Sequence, residues 1–142
     1  MAAPYRGVLF DLFGTLVAFD AGRLPELEVE GVRHRTTVGG LAPALAEWVP
    51  GVSLADFAHA LLAVSVELAR GWAVDHVELP SRERFRRALA RLGCAGPALA
   101  EAAVALSRAH MALVAGATVL PPTHAELLAE LRPRSGTRRP SG

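Results

Sequence analysis

Apolar residues fall at helical spacing through most of the chain between Leu41 and Ala115. Leu41, Leu45 and Trp48 are four and three residues apart, and Pro50-Gly51 is placed to close that helix. Ser53 with Asp56 three residues later reads as a capping box. It opens a helix through about Arg70, whose Leu54, Phe57, Ala58, Leu61, Leu62, Val64, Ser65 and Leu68 form a broad apolar face. Ser81 is the expected cap of a third helix. That helix turns Phe85, Leu89 and Leu92 toward a core and spreads Arg82, Arg84, Arg86, Arg87 and Arg91 over its other faces. Gly96-Pro97 starts a fourth helix, with proline in its permitted first turn and Gly116 placed to end it. Before these helices, Leu27 to Thr36 alternates in character around Gly31, which suits a short exposed hairpin or an extended loop. After them, Ala117 to Leu131 reads as a short extended stretch and one more helix, with Thr123 and Glu126 as a second capping box.

The front of the chain follows another pattern. Gly7-Val8-Leu9-Phe10 is a continuous apolar or small run, suited to a strand buried on both faces, and it ends on Asp11 followed by Gly14-Thr15. In open parallel sheets ligands gather outside the carboxyl ends of such strands. An aspartate there can attack phosphorus or an activated carbon, and water then breaks the covalent intermediate. Asp and Gly also occur at ordinary strand-ending turns for local reasons.

The run Val8-Leu9-Phe10-Asp11-Leu12-Phe13-Gly14-Thr15-Leu16 resembles the first signature motif of the haloacid dehalogenase (HAD) superfamily. The resemblance implies an α/β Rossmann-like core and hydrolysis of a phosphate ester or a 2-haloacid through an aspartyl intermediate. It makes Asp11 the nucleophile, with Phe13, Gly14 and Thr15 holding the transferred group. It also implies Mg2+, bound by the Asp11 carboxylate and the Phe13 backbone carbonyl. Phosphatases of the superfamily usually carry a second Asp where this chain has Phe13, and phenylalanine cannot protonate a leaving alcohol. Dehalogenases, whose halide leaves without a proton, resemble this chain in having an aromatic residue there.

By the same resemblance the helices after the loop form a cap, and the segment from residue 116 re-enters the core. The expected organisation is a first core strand and nucleophile loop over 1–17, a cap over 18–115, a return segment and core helix over 116–134, and a flexible basic tail over 135–142. This chain is therefore expected to be mostly α. The second motif should follow an apolar strand, yet Ser135 and Thr137 follow none. The chain has no Lys, and no Asp follows Asp75, so residues for the third and fourth motifs are missing too. The sequence is read as a truncated or frame-shifted hydrolase, incomplete and inactive as it stands. The alternative is a non-catalytic helical interaction module derived from the cap.

Composition changes this picture little. Of 142 residues, 51% are hydrophobic and 20% charged, with a formal net charge of +1, which argues against a dedicated nucleic-acid surface. The Arg row of the third helix reads as a solvated face, and Arg33-His34-Arg35 as either a solvated edge or a contact for an anionic substrate. His34, His59, His76, His110 and His124 have no metal-site spacing, and the single Cys94 excludes an internal disulfide. No run of about 18 uncharged apolar residues occurs and Asp11 interrupts the N-terminal apolar stretch, so a cytoplasmic protein without a membrane partner is expected. Self-association through the first strand and the return helix is expected as well.

Overall fold

A computed structural model describes residues 9–29, 31–75 and 79–131; Gly7, Val8, His76, the residues after Leu131 and the basic tail lie outside them. The protein is mostly helical. Its elements are β1 (Ala18–Phe19), β2 (Glu26–Val29), β3 (Val32–Arg35), α1 (Ala42–Trp48), α2 (Leu54–Asp75), α3 (Ser81–Arg91), α4 (Pro97–Ala117), β4 (Thr118–Val119) and α5 (Pro122–Leu131). Two 3-10 turns, Ala21–Arg23 and Thr37–Leu41, join them. The chain divides into two compact units: residues 20–117, and, among the described residues, 9–19 together with 118–131. The helical unit is thus an insertion in the chain of the other.

In the helical unit α3 packs against both α2 and α4, while α4 also carries α1 and the second 3-10 turn. Phe57 of α2, Phe85 of α3 and Leu106 of α4 are fully or almost fully buried, with Leu41, Leu45, Val64 and Leu89 around them. Ala60, Ala88, Ala102 and Ala103 are buried among these larger side chains, and small residues there let the helices approach closely. Phe57 and Phe85 meet at 5.9 Å, and the His110 ring stands edge-on to Phe85 at 5.5 Å. His110 Nδ1 also lies 2.9 Å from Thr37 Oγ1.

Local signals explain most helix ends. Ser53 Oγ accepts from the Asp56 amide at 3.0 Å and donates to Asp56 Oδ2 at 2.6 Å, the capping arrangement expected from the sequence. Ser81 differs from expectation. It is the first residue of α3 and not its cap; the Pro80 carbonyl accepts from the Glu83 and Arg84 amides, and the Ser81 hydroxyl meets that of Ser107 at 2.7 Å. Gly116 does not end α4, which continues through the buried Ala117. Thr123 lies inside α5, because the Pro121 carbonyl takes the His124 and Ala125 amides and starts the helix a residue earlier.

The Arg row of α3 is largely engaged. Arg84 donates to Ser65 Oγ at 2.8 Å and Arg91 pairs with Glu67, both on α2. Arg86 and Arg87 both hold Glu83, and their hydrogen bonds bring its carboxyl down from 4.5 to about 2.

Leu27 to Thr36 folds as a hairpin, with β2 and β3 antiparallel in the register Glu26↔Arg35 and Val29↔Val32. Arg35 anchors it by donating to the Gly22 carbonyl at 2.6 Å and to Glu26 Oε1 at 2.7 Å. Gly39 and Gly40 let the second 3-10 turn close against the base of this hairpin. A Cβ on Gly39 would come within 2.8 Å of the Glu26 carbonyl oxygen, and one on Gly40 within 2.7 Å of Leu113. Across the unit, the Asp20 amide donates to the Ala117 carbonyl at 2.8 Å, so the two ends of the insertion lie side by side.

In the other unit β1 and β4 form a two-residue antiparallel ladder, Ala18↔Val119 and Phe19↔Thr118. The core strand expected to lead into Asp11 is not formed over its described part. Leu9 and Phe10 have no strand pairing, and Leu9 is 99% exposed. An unpaired extended segment leaves its backbone groups to water, and no described neighbour offers a ladder to it.

Two predictions follow from this packing. Gly39→Ala should destabilise the helical unit by about 1 to 3 kcal/mol through overpacking against a backbone oxygen, lowering the thermal midpoint by several degrees. Gly51→Ala, where the added Cβ meets nothing within 4 Å, should leave the midpoint nearly unchanged. His110 supplies the second. Burial chiefly, and the nearby Arg84 charge, lower its pKa below the ordinary 6.5. The unfolded chain therefore takes up a proton near that value while the folded one resists it, so stability is full above it and declines as pH falls toward the lowered pKa. Denaturation midpoints measured from pH 8 to 5 should show the gap between wild type and His110→Asn narrowing below about pH 6.5. A gap constant with pH would remove His110 from the acid response.

Candidate functional site

Asp11 stands at the start of a closed loop. The Leu12 carbonyl accepts from both the Leu16 and the Val17 amides at 3.0 Å, and the Gly14 amide donates to the Val17 carbonyl at 3.0 Å. These bonds bring Phe13 and Val17 into an isolated parallel bridge that leaves the Phe13 carbonyl outside its hydrogen bonds. Gly14 has φ +77°, the left-handed region in which a glycine carries no Cβ penalty. Glycine at this position is therefore a backbone requirement of the loop.

The Thr15 hydroxyl donates to Asp11 Oδ2 at 3.3 Å, a long and exposed hydrogen bond. Asp11 Oδ1 has no partner among the described residues, and the carboxylate is open to solvent. Phe13 is half exposed beside it in sequence. Asp11 and Thr15 are thus brought together, and Gly14 shapes the turn between them. The arrangement presents one oriented carboxylate, suited in type to nucleophilic attack.

A residue that sequence reasoning passed over secures this loop. His124 of α5 lies 2.9 Å from the Leu16 carbonyl through Nδ1. A carbonyl only accepts, so Nδ1 is the donor in this contact. The contact joins residues 108 apart in sequence, and no spacing signal announces it.

For Mg2+ the described residues fall short. The ion takes oxygen ligands in a near-octahedral shell, commonly one or two carboxylates completed by water or phosphate. Asp11 is the loop's single carboxylate, and among the described residues no three His, Cys, Asp or Glu side chains converge to hold a metal. Arg33, His34 and Arg35 belong to the helical unit, where Arg35 is committed to the hairpin base.

The helical unit has a concavity of its own. Trp48 of α1 and Ala100, Glu101, Val104, Ala105 and Arg108 of α4 line an open, mostly apolar groove of about 340 Å3. Its sequence signal is the pair Glu101 and Arg108, seven residues apart on a stretch that is apolar from Ala102 to Leu106.

No family model matches the chain, and no curated protein or solved structure is significantly similar to it.

The His124 contact generates a prediction. His124→Phe should accelerate hydrogen exchange at the Leu16 and Val17 amides, because the loop loses its tie to α5. Exchange within α2 and α4 should be unchanged.

Proposed function

We propose that the chain carries the nucleophile loop and helical cap of a haloacid dehalogenase-like hydrolase, with Asp11 as the attacking carboxylate. The observation that carries the reading is that Asp11 to Leu16 of the motif close into a loop in which Thr15 donates to Asp11. Two further features support it. The helical unit is inserted directly after that loop with its ends side by side, as a cap between two core segments would be. Gly14 occupies a left-handed turn, which allows the sharp bend after Asp11.

The chemistry follows from the residues. Asp11 Oδ1, which has no partner among the described residues, would attack phosphorus or the halogen-bearing carbon and expel the alkoxide or the halide. Water would then attack the aspartyl phosphate or aspartyl ester, releasing phosphate or the hydroxy acid and regenerating the Asp11 carboxylate. Phe13 offers no proton to a leaving alkoxide, so the site favours a leaving group that departs as a stable anion, a halide or an activated aryl oxide. Charge developing on the transferred group needs cations or oriented donors, each often worth several kcal/mol in such sites. Among its side chains the described loop supplies the Thr15 hydroxyl alone, whose proton goes to Asp11 Oδ2. The 142-residue chain is accordingly proposed to be inactive by itself. The helical unit has a buried core of its own, which supports the second reading, a non-catalytic interaction module.

Assayed with Mg2+ against an aryl phosphate and a 2-haloacid, the chain should release neither phosphate nor halide above the level of Asp11→Asn. Turnover above that level would overturn the inactive reading. Joining residues 1–131 to the later core segments of a complete family hydrolase should restore turnover that Asp11→Asn abolishes, with an unchanged circular dichroism spectrum. A folded chimera indifferent to that substitution would remove Asp11 as nucleophile.

A further inference from the structure

The groove on α4 has a symmetry that the single chain does not use. Four of its lining residues on α4 fall symmetrically, Glu101 three residues before the Val104-Ala105 pair and Arg108 three after it. Both charged residues are exposed, and neither forms an ion pair among the described residues. Ala102, Ala103 and Leu106 bury one side of this apolar helix in the core, while Val104 and Ala105, toward the groove, stay partly exposed between the two charges. A partly exposed apolar strip with an unpaired charge at each end is suited to a partner.

We propose that this face is a self-complementary interface on which two copies of the chain pair through antiparallel α4 helices. A two-fold axis between Val104 and Ala105 sets Glu101 of each copy beside Arg108 of the other, twice over. It also sets Val104 of each against Ala105 of the other, large against small. An isologous contact of this kind requires each residue to meet its complement about the axis, and the sequence Glu101-x-x-Val104-Ala105-x-x-Arg108 meets that condition. A parallel arrangement would put Glu101 beside Glu101 and Arg108 beside Arg108, which like-charge repulsion disfavours. The small Ala100 and Ala105 let the helix axes approach. Trp48, 39% exposed on the groove wall, supplies the aromatic flank that interfaces favour. The occupant that matches both the apolar strip and its charged ends is a second copy.

Sedimentation of the full chain over a concentration series should show a monomer–dimer equilibrium that weakens with added salt. Arg108→Glu sets four carboxylates around the axis and should shift the chain to monomer, as should Glu101→Arg with four guanidinium groups. The double exchange Glu101→Arg with Arg108→Glu restores the pairing in reverse and should recover the dimer. Circular dichroism checks that each variant keeps its helices. A wild type that is monomeric throughout overturns the proposal, as does a monomer that floats with phosphatidylcholine vesicles, which would assign lipid to this face. A dimer insensitive to the single reversals, or not recovered by the double exchange, overturns it by placing association elsewhere, for example on the unit that carries Asp11. The outcome is independent of the Asp11 assays.

Discussion

The helical unit depends on how α3 is held between α2 and α4. This helix carries five Arg and buries only Phe85, Ala88 and Leu89, so its own hydrophobic contribution is narrow. Close approach compensates for that. Ala88 lies fully buried, and the facing alanines of α2 and α4 are as small, which lets Phe57, Phe85 and Leu106 fill the space between larger elements. The polar side chains of α3 then work at the margins of this contact. Arg84 reaches Ser65 and Arg91 reaches Glu67, both on α2, while Ser81 meets Ser107 on α4. A helix that looks solvent-facing by composition is in fact clamped on two sides.

Residue pattern made much of this legible. Phe57, Leu61 and Val64 lie on one face at helical spacing and are buried, and Ser53 with Asp56 marks where α2 begins. Both signals are local, and local signals survive folding. The misses have a common cause. Ser81 has the chemistry of a cap, but Pro80 fixes an extended backbone and its carbonyl starts the helix, which frees the Ser81 hydroxyl for Ser107. Thr123 yields in the same way to Pro121. In each case proline geometry outranks a side-chain capping preference. The β1–β4 ladder was illegible for a different reason: two residues carry no periodicity, and their partners are a hundred positions away.

The loop around Asp11 was legible in its chemistry and not in its support. Gly14 and Thr15 announce a tight turn with a hydroxyl, and the loop has both. The anticipated lead-in strand is absent over Leu9 and Phe10, and the ties that hold the turn come instead from its own backbone and from His124. A turn of this kind keeps its shape through bonds internal to about six residues. Its shape therefore does not require a sheet, although the proposed chemistry does. Backbone closure orients one carboxylate, whereas stabilising a transition state needs several donors fixed around the reacting group.

Insertion relates these two levels of order. The Asp20 amide and the Ala117 carbonyl bring the ends of the helical unit together, so a self-contained core can interrupt another chain segment at little cost. The same arrangement separates the properties of the two units. Glu101 and Arg108 shape the α4 face and take no part in the internal bonds of the Asp11 loop. The proposed pairing surface and the proposed nucleophile therefore answer to different physical constraints: one to apolar burial and charge register along a helix, the other to the backbone closure of a short turn.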